Sequence, residues 1–304
     1  MKLPPKTVVM IGVLFSSFAS IFVRLSDAHA LAIATYRMWL SFFLLAPLII
    51  IDLLRKKKTR TKIAGINGRD VVLCAISGFF LAAHFAMWIQ SLGMTSIASA
   101  TVLVDTHPMF VLTAGYLFLR ERINRRAFAC VLVAFLGIVL LSSGDMREGT
   151  DSFSGDLLAL GGAAALAGYI LIGRVVRQRM AAVHYAAIVY FFSSLVLTSA
   201  SIAWRVPLRG YPAKELLIFL AMAFFCTILG HTVFNWALKY LKASFVSTAG
   251  FVEPVYATLL GIIIFGEIPR SPVFIGGGII LIGILLFVRE EGKMQNITEK
   301  RAHH

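Results

Sequence analysis

The stretch from Ser99 to Leu141, SATVLVDTHPMFVLTAGYLFLRERINRRAFACVLVAFLGIVLL, decides the fold of this chain, because it does not occur alone. Shifted by 146 residues, it falls without a gap on Phe245 to Phe287, FVSTAGFVEPVYATLLGIIIFGEIPRSPVFIGGGIILIGILLF. Pro108 lands on Pro254, Glu121 on Glu267 and Gly137 on Gly283, and further back Leu92 lands on Leu238. Each shared residue keeps its setting: the prolines sit in mid-helix and the glutamates at a helix-to-helix turn. The chain therefore reads as two copies of one unit, residues 1–145 and 152–290, followed by a tail at 291–304.

Around this repeat the composition is that of a membrane protein. Of 304 residues, 59% are hydrophobic and 14% charged, against about 25% charged in soluble chains. Apolar runs fall at about 7–26, 30–54, 70–92, 96–119, 124–143, 155–175, 183–204, 214–238, 244–265 and 272–289. Each is long enough to cross a hydrocarbon core of about 30 Å as a helix. None shows the polar–apolar alternation of a spanning barrel strand. The expected fold is an all-α polytopic membrane protein with ten transmembrane helices as two five-helix repeats. An odd number of spans per repeat makes the second enter from the opposite face, so the repeats are inverted about a pseudo-two-fold axis in the membrane plane. No soluble domain of useful size fits in what remains.

Charge sets the expected orientation. With the N-terminus placed inside, 22 Lys and Arg fall on the inward loops and tails and five on the outward ones, out of 29 in all. Cytoplasmic loops hold such an excess, so both termini are expected in the cytoplasm of a cell inner (cytoplasmic) membrane. The formal net charge of +14 is then the cytoplasmic face, with anionic lipid as its partner and no nucleic acid. Arg55-Lys56-Lys57-Lys58 is the densest part of that face. Cys74, Cys130 and Cys226 lie inside apolar runs without metal or redox spacing, and read as packing residues. Lys2 and Lys6 precede the first run, and no small-residue cleavage site ends it, so a removable signal is not expected.

The pattern Pro108, Phe118-Leu119-Arg120-Glu121, Leu136-Gly137 returns as Pro254, Phe265-Gly266-Glu267, Ile282-Gly283, with Tyr36-Arg37 in the second span. Together these resemble the drug/metabolite transporter superfamily, EamA type, over nearly the whole chain. The resemblance implies a secondary transporter of small polar or amphipathic metabolites, among them amino acids, amines and related compounds, with a central cavity between the halves. No cofactor is expected, and the small surfaces of Gly276-Gly277-Gly278 and Gly161–Ala165 leave a monomer or homodimer open. The basic pairs expected of phosphate-carrying relatives are missing from spans seven to ten, which counts against sugar phosphates.

Independently of any family, polar side chains inside a bilayer are expensive and mark function. Those placed deepest are Arg37, His84, Asp105, His107, His231, Asn235 and Glu253. Glu253 lies about 14 Å into its helix, near the midplane, where a carboxyl is protonated, paired or hydrated. The repeat makes His107 its counterpart, each directly before the shared proline. The expectation is that Glu253 and His107 face one cavity, binding a cationic group or a coupling proton. Asp105, about 200° around the helix from His107, is expected to face elsewhere, with Arg37 or Arg24 as partner. Pro108 and Pro254 free the carbonyls of Val104 and Gly250 and are candidate hinges or donor-binding points. His84 with Trp88, and His231 with Asn235, are four apart and share a helix face, suiting an amphipathic amine or amino acid through hydrogen bonding and cation–π contact. Glu121 and Glu267 are expected to lock turns with Arg122 or Arg270. No GxxxxGK[ST], HExxH or GxSxG motif occurs, so neither an ATP-driven nor a hydrolytic site has support. An intramembrane enzyme or a passive channel using the same residues remains as the alternative, and no metal site is expected.

Overall fold

The computed structural model describes residues 3–58, 67–92, 94–95, 97–121, 124–143, 153–266 and 269–302, excluding side chains at 53, 55–58, 92, 97–99 and 294–302. Arg122, Arg147, Glu267, His303 and His304, and the side chains of the basic run from Arg55 to Lys58, lie outside what is described.

Ten helices are long and apolar enough to span a membrane: α1 (Pro5–Leu25), α2 (Ala30–Asp52), α3 (Gly68–Ser91), α4 (Ala100–Leu119), α5 (Arg125–Ser143), α6 (Phe153–Val176), α7 (Ala182–Ala203), α8 (Ala213–Ala237), α9 (Ala243–Phe265) and α10 (Ser271–Lys293). Their packing has the two-fold pattern that an inverted repeat requires. α3 packs on α6 as α1 packs on α8, and α4 packs on α6 as α9 packs on α1, while α2–α7, α4–α9 and α5–α10 pair across the axis.

The α5–α10 pair is closed by missing side chains. A Cβ on Gly137 would come within 2.8 Å of the Gly276 carbonyl oxygen, and one on Gly283 within 2.7 Å of the Ala134 nitrogen. Backbone thus rests on backbone, as small residues permit in membranes. Gly276 and Gly283 act inside the fold, whereas Gly278 faces open space. Cys74, Cys130 and Cys226 are free thiols.

Two spans read as continuous helices are interrupted. α4 is a helix at Ile97–Val104 (α4a), a turn at Asp105 and Thr106, and a second helix at His107–Leu119 (α4b). α9 is a helix at Ala243–Ala249 (α9a), a 3-10 turn at Gly250–Val252, and a second helix at Glu253–Phe265 (α9b). Both breaks precede a proline, which has no N–H and whose ring crowds the carbonyl four residues earlier. The carbonyls so released are not left bare. Val104 oxygen is met by the His107 imidazole Nδ1 at 3.3 Å, and Gly250 oxygen accepts the Glu253 backbone N–H. The matching half-helices also end alike, Arg120 and Gly266 each turning left-handed at φ 54° and 67°.

Candidate functional site

The two breaks meet where α4b packs on α9a, with His107 of one set against Gly250 of the other, and most of the polar residues singled out from sequence gather around this crossing. Glu253 opens α9b and accepts a hydrogen bond from Ser16 Oγ on α1 at 3.1 Å. It lies within electrostatic range of Arg37 and of Asp105. Asp105 lies in the turn that interrupts α4, where a residue is not bound to the 100° step of a helix. The expected ion pair of Asp105 with Arg37 or Arg24 is absent among the described residues. Arg37 Nε instead donates to Thr227 Oγ1 at 2.7 Å, and Arg24 lies over the Phe265 ring, 4.4 Å from its centroid.

Arg37 is 4% exposed, its guanidinium stands 5.0 Å from the Phe85 ring centroid, and its Nη2 is buried without a hydrogen-bond partner among the described residues. Because guanidinium keeps its proton under all ordinary conditions, this is a permanent charge placed at the centre of the bundle. A buried donor left unpaired costs roughly 1–3 kcal/mol, which makes Nη2 a place where an acceptor is wanted. Asn235 Nδ2 and Trp88 Nε1 are likewise buried donors without a partner among the described residues.

The two helix faces proposed from four-residue spacing are both present, in altered form. His84 Nδ1 meets the Gly162 carbonyl at 3.0 Å, and its ring stacks parallel to Trp88 with centroids 6.2 Å apart. A carbonyl only accepts, so Nδ1 bears the proton in that contact. On α8 a π-helical segment, Met222–His231, shifts the register. It turns Thr227 to Arg37 and His231 toward Phe85 and Tyr169, while Asn235 Oδ1 accepts from the Tyr169 hydroxyl at 2.8 Å. Such bulges recur at functional sites, and no hydropathy pattern reveals them. His107 does not meet Glu253. The residue is 8% exposed, its ring tied to Val104 and set against Gly250 of the opposite break. Its place is the joint between the two interrupted helices.

Sequence reasoning missed Ser16, Thr227, Tyr169 and the Tyr190 hydroxyl, which bonds Thr232 Oγ1 at 3.0 Å. A tyrosine directly after the small-residue run of α6, Gly161 to Gly168, was the one signal that pointed there. No group of His, Cys, Asp or Glu able to hold a metal ion occurs among the described residues.

Access to the crossing differs at the two faces. Toward the face bearing both termini, every residue of α9a is buried and α9a packs against α4b. Toward the other face, α9b has no fully buried residue, and the corresponding α9b–α4a packing is not matched in extent. The terminus-bearing side is latched by Glu121. Its carboxylate receives Arg174 Nε at 3.0 Å and the backbone N–H groups of Ala243 and Ser244 at 3.3 and 3.5 Å. Glu121 thus bonds the N-terminus of α9a, where the positive helix end favours a carboxylate, while Arg122 and Glu267 of the expected turn locks lie outside the described residues.

Comparison with known proteins agrees with this architecture. A family model described as the EamA-like transporter family matches residues 6–143 and again 153–289. An uncharacterized transporter of Clostridium kluyveri is 24% identical over 88% of this chain and 88% of its own. Solute carrier family 35 member G1 of Mus musculus is 24% identical over 83% of this chain and 69% of its own. The pseudopaline exporter CntI of Pseudomonas aeruginosa is 22% identical over 74% and 77%. One solved crystal structure superposes with a TM-score of 0.75 at 15% identity, covering 93% of this chain and 95% of that one.

Proposed function

The chain belongs to the EamA-like transporter family, and from that premise we propose that it carries a small zwitterionic metabolite, an amino acid or a related compound, by alternating access. The single observation behind this reading is the opposition of charges at the helix crossing. The unpartnered Nη2 of Arg37 offers a charged donor to a substrate carboxylate, and Glu253 with Asp105 offers acceptors to an ammonium group. Trp88, beside His84, adds a ring face to the same wall. A substrate with both charges neutralises both ends; an amine or a carboxylate alone leaves one end unmet.

In this reading the basic, terminus-bearing face is cytoplasmic, the membrane is the cell inner membrane, and the conformation is outward-facing. Glu253 also serves as the coupling group, taking a proton when the substrate ammonium leaves. Pro108 and Pro254 mark the points at which α4 and α9 bend as the latch at Glu121 opens. Each repeat, 1–145 and 152–290, moves as one of two interchangeable halves, with 291–304 as the cytoplasmic tail.

The test is counterflow in proteoliposomes, where external substrate accelerates exit of labelled internal substrate. An amino acid is expected to drive counterflow, while its decarboxylated amine and its N-acetyl derivative do not. Glu253→Gln is expected to abolish the pH dependence and lower the rate at least about ten-fold, the loss of one charge-assisted hydrogen bond of roughly 1.5–3 kcal/mol. Unaltered rate and pH profile in both Glu253→Gln and Glu253→Ala would sink the proposal, and equal counterflow by the amine would remove the zwitterion from it.

A further inference from the structure

Away from the polar crossing, α3, α4b and α6 enclose a groove of about 660 Å³, within the range of about 300–1,000 Å³ typical of small-molecule sites. Its walls include Leu73 and Phe80 of α3, Met109 and Leu117 of α4b, and Ala164 and Gly168 of α6. Thr113 is the one hydroxyl-bearing residue in it. The groove exists because Ala164 and Gly168 give α6 a flat side there, and a Cβ at Gly168 would already meet the Phe80 ring at 3.0 Å. Leu117 and Phe118 are 64% and 79% exposed on its rim. Every lining residue lies on a membrane span, so what borders the groove is lipid.

Hydrocarbon around a bilayer protein is as apolar as the groove itself, so chain burial alone selects nothing. Selection must come from the mouth. All three walls run to the terminus-bearing face, and each ends there in an arginine. Arg69 precedes Leu73 by one turn, Arg120 directly follows the lining residue Leu119, and Arg179 follows Val175 by four. Arg179 is held by Asp70 at 3.3 Å, while Arg69 and Arg120 are exposed and have no ion-pair partner among the described residues. Guanidinium forks match phosphate oxygens, and basic residues at this depth attract anionic headgroups.

We propose that this groove is a binding site for an anionic phospholipid of the inner leaflet, one acyl chain lying between α3, α4b and α6 and the phosphate held by Arg69 and Arg120. The site lies directly behind α4b, the half-helix that packs on α9a and ends at Glu121. A lipid seated there braces the closed side and couples leaflet charge to the carrier. This goes beyond the substrate reading and stands without it.

The experiment uses the purified full chain in mild detergent, titrated with phosphatidylglycerol or phosphatidylcholine. Thermal stability and lipid retained in native mass spectrometry are both read. The expected result is a stability rise and retained lipid with phosphatidylglycerol only. Both are expected to fall to the phosphatidylcholine level in the double variant Arg69→Gln, Arg120→Gln and in Ala164→Phe, which fills the groove, and to persist in Arg69→Lys, Arg120→Lys. Equal response to both lipids, or an unchanged response in the glutamine variant, would overturn the proposal. If Ala164→Phe fails to fold, the glutamine and lysine pairs decide alone, and neither readout depends on transport.

Discussion

In the proposed site Arg37 joins the buried network to the substrate. Its Nε is committed to Thr227 and its Nη2 to nothing described, so the two ends of one guanidinium have separable roles. Arg37→Gln is expected to weaken binding of a carboxylate-bearing substrate by about 10- to 100-fold, as loss of a charge-assisted hydrogen bond implies. Thr227→Val is expected to change it by only a few fold. Isothermal titration or counterflow half-saturation measures both, and comparable losses in the two variants would assign Arg37 to scaffolding. Arg37, Glu253 and His84 were legible from sequence because charge or imidazole in an apolar run stands out against its surroundings. Thr227 and Ser16 were not, since hydroxyls are common in membrane helices, bonding to their own backbone as Ser17 and Thr35 do here. Asp105 lacks the ion pair expected of it among the described residues, Arg37 and Arg24 being engaged elsewhere, and it sits in a turn where an unbroken helix was assumed.

At the scale of elements, the repeated prolines announced that α4 and α9 are special, but not that they are discontinuous. Hydropathy falls across Val104 to Pro108, where Asp105, Thr106 and His107 follow the valine, but polar residues in an apolar run read equally as a site on a continuous helix, so the break itself stayed hidden. The π segment of α8 was hidden because its residues are uniformly apolar from Met222 to Leu229 apart from Thr227. Glycines were more readable, because their positions recur between repeats, and their packing can be tested. Gly276→Ala forces a methyl into the α5 backbone at Leu141, where overpacking costs about 1–3 kcal/mol. A fall of several degrees in melting temperature in detergent is expected, at about 2–4 °C per kcal/mol. Gly278→Ala, facing open space, is expected to leave melting unchanged or slightly raised, since alanine favours helix. Equal effects at the two positions would mean that α5 and α10 do not meet as described.

For the whole molecule, the ten spans and their inversion followed from run length and the 146-residue shift, because a bilayer leaves few alternatives to helices. The state of the carrier did not, since a sequence with two similar halves fits either conformation. In the proposed cycle the latch at Glu121 biases the structure toward one. Glu121→Ala removes the acceptor of Arg174 Nε and of two N–H groups. At roughly 1.5–3 kcal/mol for one charged bond, the equilibrium should move at least about ten-fold toward the state open on the terminus-bearing side. In a background with Cys74, Cys130 and Cys226 replaced, a cysteine at buried Ser247 is expected to react faster with a membrane-impermeant thiol reagent applied from that side. An unchanged labelling rate would show that Glu121 is not a latch.

The seam of α5 and α10 packs on the rest of the described bundle chiefly through α4 and α9. It therefore behaves as a keel. It lies behind α4 and α9, the helices that bend in the proposed cycle, is too tightly fitted to slide, and has its main outside packing on those two helices. Probes placed along it should keep a constant separation through the whole cycle, while probes across the mouth change theirs. A bulky tether or a binding protein attached along the keel should leave turnover intact, which makes it the natural handle by which to hold this carrier while watching it work.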